Sequence, residues 1–381
     1  MRIKKRMRPP RISPAALFAI FVLAVGGAAA RGAEAMAKIV VSPDGSHFVE
    51  AGSARKFIPW GFNYDRDYQH RLLEDYWEGE WEVVAEDFRE MKALGANLVR
   101  IHLQFGTFMK SASQAEEAAL ARLKKLLELA RETGLYLDLT GLGCYHKKDV
   151  PAWYDALEES ARWEAQAVFW RAVAEAAKDR PEVFCYDLMN EPLAPGGDKK
   201  ETEWLAGELA GKHYVQRITL DPAGREAKEV ARQWIKRLTD AIREADSQTM
   251  VTVGVIPWAQ FFPGAKPVFH SPEAGGPLDF VSVHFYPESG KIDEALKALA
   301  VYDVGKPLLI EEFFPMKCSP EELGQFIDRS AEVADGWVGF YWGQGPEDVP
   351  ADTMAGAMMR GWLRFFQRRA AAMKKGEAAA E

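Results

Sequence analysis

The chain has 381 residues, 48% of them hydrophobic and 12% aromatic, which is ample for a large core and too well mixed for a disordered chain. A formal net charge of −8 leaves no broad basic field and excludes nucleic acid as an expected partner. Three cysteines without a CxxC pair, and the lack of an HExxH motif, give no indication of a structural metal.

Taken in chain order, the first segment stands apart. Arg2, Lys4, Lys5, Arg6, Arg8 and Arg11 precede an apolar run over 15–30, "AALFAIFVLAVGGAAA". The run is short for a bilayer span, which needs roughly 20 apolar residues, and it ends in small residues. It reads as a secretory signal peptide over 1–30, cut after Ala30 or else after Ala33 or Ala35, with an uncleaved anchor as the rival. No cysteine lies near the cut, which speaks against a lipid anchor. The expected mature protein is secreted or periplasmic, without stable membrane insertion, and monomeric.

Eight short β-rich runs then alternate with amphipathic segments. The runs are "KFIPWGFN" (56–63), "NLVRIHL" (97–103), "GLYLDLT" (134–140), "VFCYDLM" (183–189), "TMVTVGV" (249–255), "DFVSVHF" (279–285), "PLLIEEF" (307–313) and "GWVGFYW" (336–342). Each is apolar throughout, as a strand buried on both faces should be. Between them, Val84, Phe88 and Met91 share one helical face, as do Leu120, Leu123 and Leu127. Gly134 is a helix stop, and Ser319 with Glu322 is a capping-box pattern.

This alternation predicts one α/β domain over 38–370, a (β/α)8 TIM barrel. A doubly wound open sheet is the alternative, but the GxGxxG turn that would mark it is missing after the first strand. Residues 193–224 form an extended loop after strand four, with "YVQRITL" as a short extra strand and the whole as a candidate wall of the binding site. Residues 371–381 read as a polar, frayed tail. Cys185 is expected in the core, and Cys144 with Cys318 is the one pair considered for a disulfide.

In a β/α barrel the site lies at the carboxyl ends of the strands. Those ends carry Arg100, His102, Asn190, Glu191, His284, Tyr286, Glu312 and Trp342. Each alone has an ordinary structural role, but so many polar groups on one rim are costly for stability alone. Two carboxylates across a cleft are what glycosidic cleavage needs. Within "IEEF", strand alternation puts Leu308, Ile310 and Glu312 on one face and Leu309 and Glu311 on the other, without saying which face looks inward.

"DLMNEP" (187–192) and "KPLLIEEF" (306–313) resemble the signatures of the retaining glycoside hydrolases of the cellulase family, family five of the TIM-barrel clan. The resemblance runs from about Phe57 to Trp342. It implies Glu191 as acid/base with a raised pKa and Glu312 as an ionised nucleophile, with Glu311 an outward structural neighbour. It further implies Arg100 beside the nucleophile, Asn190 on the sugar 2-hydroxyl, His284 and Tyr286 as the strand-six pair, and Trp342 as the floor of the −1 subsite. The implied substrate is a β-linked glucan, mannan or related polysaccharide or oligosaccharide, and no metal or organic cofactor is required. One departure is Thr140, where many members close strand three with histidine; His102 or His146 is the candidate to fill that space. The change weakens any transfer of substrate from the glucan-cleaving members. Trp60, Tyr64, Tyr68, Tyr145, Trp153, Trp258 and Phe262 are candidate sugar-stacking residues. The rival readings are an inactive carbohydrate-binding barrel and an exo-acting glycosidase, the latter depending on whether residues 193–224 close one end of the cleft.

Overall fold

The computed structural model describes residues 36–379 apart from 341 and 351, so the expected signal peptide lies outside the described residues. Eight parallel strands form a ring: β1 Trp60–Tyr64, β2 Leu98–Gln104, β3 Tyr136–Gly143, β4 Val183–Asp187, β5 in two pieces, Met250–Thr252 and Gly254–Val255, β6 Val281–His284, β7 Leu308–Phe313 and β8 Gly336–Gly339. Each pairs with its sequence neighbours, and β8 pairs with β1. The first piece of β5 pairs with β4 and the second with β6, which brings the ring to closure. Eight helices follow the strands in turn: α1 Trp81–Ala93, α2 Glu117–Thr133, α3 Glu159–Ala177, α4 Ala227–Ala245, α5 Trp258–Phe261, α6 Ile292–Leu299, α7 Pro320–Ser330 and α8 Met354–Ala379. The expected (β/α)8 barrel is therefore present, with α5 reduced to a single turn.

The strands read as apolar runs because both faces are covered. On β2, Val99, Ile101 and Leu103 join the layer between barrel and helices. Leu98 points into the barrel with Tyr136, Phe184, Phe280 and Leu309. The helices bury the faces their spacing marks: Val84, Phe88 and Met91 on α1, Leu123 and Leu127 on α2. Gly134 ends α2 with φ +67°, a left-handed stop that glycine adopts without a Cβ clash, and the Ser319–Glu322 capping box opens α7. Residues 371–379, expected as a frayed tail, continue α8 as helix.

An N-terminal hairpin, Ile39–Val41 paired with Phe48–Glu50, plugs the bottom of the barrel. Phe48 meets Phe184 at 5.2 Å and Phe280 at 5.1 Å, edge to face. At the other mouth, residues 193–224 hold a small sheet of Pro192–Leu193, Val215–Arg217 and Leu205–Ala206, the second of these within the expected extra strand. The three cysteines are free. Cys144 and Cys318 follow β3 and β7, opposite strands of the ring, which is why the considered disulfide does not form. Among the described residues, no helix is long and apolar enough to cross a membrane.

Candidate active site

The site depends on a break in strand alternation between β6 and β7. The β6–β7 register runs Val281↔Leu308, Ser282↔Leu309 and Val283↔Ile310, then jumps to His284↔Glu312. Glu311 is the extra residue of a β-bulge. It follows Leu309 into the barrel, and the bulge turns Glu312 inward as well. Both side chains are buried, Glu311 completely. The expectation that Glu311 faces outward is overturned: Glu311 Oε2 lies 3.2 Å from His284 Nε2 and 3.4 Å from Arg100 Nη2. Gly254 makes the room, since a Cβ there would sit 2.1 Å from that oxygen.

Arg100 is the hub beneath the rim. Its Nη1 donates to Asn63 Oδ1 (2.9 Å) and Glu312 Oε1 (2.8 Å); its Nη2 donates to Asp187 Oδ2 (2.7 Å) and Asn190 Oδ1 (2.9 Å). Burial works against its charge, but Glu311, Asp187, Glu312 and Asp138 outweigh it and hold the guanidinium protonated. Asp187 Oδ1 accepts the Gly254 N–H at 2.8 Å, tying β4 to β5. Asp138 lies deeper, where burial and the Glu311 charge push its carboxyl well above the usual range. The Asp138 and Glu311 carboxyls act on each other at this level, Asp138 driven up and Glu311 down. Burial also opposes the charge on Glu311, yet Arg100 and His284 pull its carboxyl down to about 2.

His284 joins the two levels. Its Nδ1 faces Glu191 Oε1 at 2.8 Å and Glu312 Oε1 at 3.5 Å, and its Nε2 faces Glu311. Both ring nitrogens meet carboxylates, so both donate. Burial pushes the imidazole down, but the Glu312 charge and the hydrogen bonds to Glu191 and Glu311 carry it up to about 10. A raised folded value means that the contribution to stability is fully present below the free-histidine value of about 6.5 and is lost as pH rises toward the folded one. Urea unfolding should therefore show the stability gap between wild type and His284→Asn narrowing from about pH 6 to about pH 9.5. A gap constant across that window would mean that His284 is not held as a cation.

Glu191 follows β4 with φ +47°, a left-handed conformation that is costly for a residue with a side chain, and its N–H donates to Gly254 O at 2.9 Å. That turn aims the carboxyl at His284 while Pro192 starts the small sheet. One oxygen of Glu191 and one of Glu312 lie within 4.8 Å of each other. Glu312 also accepts from Tyr286 OH at 2.6 Å, so each of its oxygens has a donor. Burial pushes the Glu312 carboxyl up, against His284 and Arg100, which hold it down. Two trios bring metal-ligating atoms together, Glu191/His284/Glu312 and Asp138/Asp187/Glu311; in both, the neighbouring cation is a side chain, His284 or Arg100.

His102 Nε2 donates to Asn63 Oδ1 at 3.1 Å and its Nδ1 accepts from Tyr145 OH; burial, Arg100 and His284 keep it neutral. His146 lies outside this network, beside a pocket with Glu74 and Asp149. The Asn190 amide is engaged at both ends, its Nδ2 donating to Tyr214 O at 2.9 Å. Trp342 does not present a face to the cleft. It is fully buried, 5.5 Å from Phe62, whose ring stacks on Phe366 of α8; the strand has ended at Gly339 and the chain has turned into the helix layer. Phe340, partly exposed and 6.1 Å from the Tyr286 ring, is the strand-eight aromatic beside the site. Of the proposed stacking residues, Trp60, Tyr64 and Tyr145 are buried, Trp153 is partly buried, and Tyr68, Trp258 and Phe262 are exposed. Asn63, Asp138 and Asp187 were not singled out from the sequence. The available signal was an acid inside an apolar strand, as in "LYLDL" and "CYDLM".

Residues 63–346 match the family described as Cellulase (glycosyl hydrolase family 5). No curated protein matches the chain. Among solved structures, exo-beta-1,4-mannosidase Op5Man5 from Opitutaceae bacterium strain TAV5 has a TM-score of 0.64 at 18% identity, over 89% of this chain and 63% of that one; this chain thus spans less than two thirds of that enzyme. Beta-1,4-D-mannanase from Cryptopygus antarcticus has a TM-score of 0.59 at 19% identity, over 87% of this chain and 94% of that one. Beta-1,4-mannanase from the sea hare Aplysia kurodai has a TM-score of 0.57 at 15% identity, over 86% and 96%. These likenesses show a shared fold. Because the family match runs from the end of β1 to beyond β8, the chain belongs to glycosyl hydrolase family 5, the cellulase family, and is an O-glycosyl hydrolase.

Proposed function

We propose that the protein hydrolyses β-mannosidic bonds with retention of configuration, using Glu312 as nucleophile and Glu191 as acid/base. The observation that carries this reading is that Glu191 and Glu312 face one another across a single His284 nitrogen, at 2.8 and 3.5 Å, an approach that suits the close pair of a retaining enzyme, roughly 5–5.5 Å between carboxyl groups, better than the wider pair that admits an inverting water. In the first step Glu312 attacks the anomeric carbon while Glu191 gives its proton to the departing oxygen. In the second, water attacks the glycosyl–Glu312 ester from the face the leaving group vacated, and Glu191 takes its proton. Arg100 and Tyr286 hold the attacking carboxylate by one donor on each oxygen, which favours its ionised form. The manno-configuration is supported by the mannosidase and mannanases of the same fold. The basic, apolar leader supports export.

Aryl β-mannoside and aryl β-glucoside, followed by proton NMR, test the reading. The mannoside should turn over faster, and the first-formed sugar should be the β-anomer. A first-formed α-anomer would replace retention by inversion, and faster glucoside cleavage would remove the sugar assignment.

A further inference from the structure

The segment after Glu191 crosses the mouth of the barrel. Gln216 Nε2 donates to Leu142 O (2.7 Å) and the His213 N–H to Tyr145 O (2.9 Å), fastening the segment over β3. Beyond the turn at 209–212, Lys212 Nζ donates to His70 O at 2.9 Å, in the loop that follows β1. That loop is itself tied to the segment after the neighbouring strand β8 by the Tyr68 N–H on Gly343 O at 3.2 Å. Lys212 is only 2% exposed, so this is a packed bridge from β4 to β1.

Beside the bridge stands Asp65, the residue after β1. It is 3% exposed, and its Oδ2 has no hydrogen-bond partner. It is close enough to Arg66 and Lys212 for their charges to act on it. The rings of Tyr145 and Tyr214 are 4.9 Å apart, and both tyrosines feel the charges of Asp65 and Glu312, so they link this carboxylate to the nucleophile. Burial pushes the Asp65 carboxyl up, against the charges of Arg66, Lys212 and Arg100, while the Arg100 guanidinium gives its hydrogen bonds to Asn63, Glu312, Asp187 and Asn190 instead.

The leaving group must lie toward Glu191. The sugar that is transferred therefore lies on the other side, toward Asn63, His102 and Tyr145 at the ends of β1 to β3. That is the side the bridge closes. A buried acceptor without a donor is costly unless a ligand supplies one, and sugar hydroxyls are donors. We propose that the Lys212–His70 bridge ends the cleft one sugar from the Glu191–Glu312 pair, and that Asp65 with Lys212 binds the free hydroxyls of a non-reducing terminal sugar. An internal sugar has one of those hydroxyls tied up in its next glycosidic bond, and the chain beyond would collide with the bridge. The enzyme accordingly removes terminal sugars one at a time. This deepens the retaining β-glycosidase reading and rests on it.

The test uses β-1,4-mannopentaose labelled at its reducing end, with or without a methyl cap on the non-reducing 4-hydroxyl. Wild type should release only mannose at early times, shortening the labelled chain by one unit per step, and should leave the capped chain intact. Replacing residues 207–212 by Gly-Ser-Gly should permit cleavage of the capped chain and release of disaccharide. Asp65→Asn should lower kcat/KM on the uncapped chain by roughly 10- to 100-fold, the loss of a charge-assisted hydrogen bond to substrate. Early disaccharide from wild type, or equal cleavage of capped and uncapped chains, would overturn the inference while leaving aryl β-mannoside hydrolysis standing. Failure of wild type on the aryl β-mannoside would remove the underlying reading and this inference with it.

Discussion

Glu312→Ala should abolish hydrolysis of every substrate, with kcat falling on the order of 10^4–10^6-fold, because no glycosyl–enzyme bond can form. Glu191→Ala should behave differently. Its loss, roughly 10^2–10^4-fold, should appear on poor leaving groups and shrink on activated aryl glycosides, which need little protonation to depart. The two residues lie in different surroundings. Glu312 is held by Arg100, Tyr286 and His284, and its side chain is 7% exposed; Glu191 touches His284 alone among these, and its side chain is 18% exposed. Truncating Glu191 therefore opens a space that a small anion can enter. Azide should restore part of the turnover of Glu191→Ala and give a β-glycosyl azide, by attacking the intermediate from the vacated face. A β-glycosyl azide obtained instead from Glu312→Ala would exchange the two roles.

The eight strands were legible because a barrel buries each of them on both faces, and a doubly buried strand is an apolar run whatever its neighbours are. Their ends were less legible. The first run was expected from Lys56, but β1 starts at Trp60, directly after Pro59, which has no N–H to give to a ladder. The last was expected to reach Trp342, but β8 stops at Gly339, and the three residues of difference move Trp342 from the rim into the helix layer. The N-terminal hairpin escaped notice because plugging a barrel is a long-range act: Phe48 carries no local mark that it will meet Phe184 and Phe280. Asp65 escaped for the opposite reason. An aspartate after an apolar run looks like any strand end, and only the fold leaves its oxygen buried without a donor. The glutamates of "NEP" and "IEEF" were legible through motif resemblance, but the same resemblance set Glu311 outward; strand alternation left the inward face open, and alternation alone cannot bring both Glu311 and Glu312 inward, since that takes a bulge.

Glu311 is where the inward register makes the largest claim about stability. Were it an outward residue of β7, it would lie in the apolar layer under the helices, and replacing it by alanine would remove a buried carboxyl without uncovering any cation, so stability should not fall. With the side chain fully buried between Arg100 and His284, Glu311→Ala leaves two buried cations short of a counter-charge, and unfolding free energy should fall by about 3–5 kcal/mol. Little relaxation is available, because the side chain fills the space left by Gly254 and its neighbours are anchored by their own hydrogen bonds. The sign of the pH dependence follows from its depressed carboxyl. A folded value pulled down to about 2 gives a contribution that is complete above about pH 4.5 and lost as pH falls through the folded value. Urea unfolding of wild type and Glu311→Ala should show the full gap at about pH 7 and a smaller one at about pH 3. Glu311→Gln separates charge from shape. The groups facing residue 311 are Arg100 on β2, Asp138 on β3, Asp187 on β4, His284 on β6 and Glu312 beside it, and the glutamine keeps the contacts of the side chain among them while removing one of the charges that hold the His284 proton. The pH at which His284 titrates, read by NMR of its imidazole nitrogens, should move down in Glu311→Gln. An unmoved titration together with no loss of stability would place Glu311 outside the Arg100–His284 network and overturn the inward register.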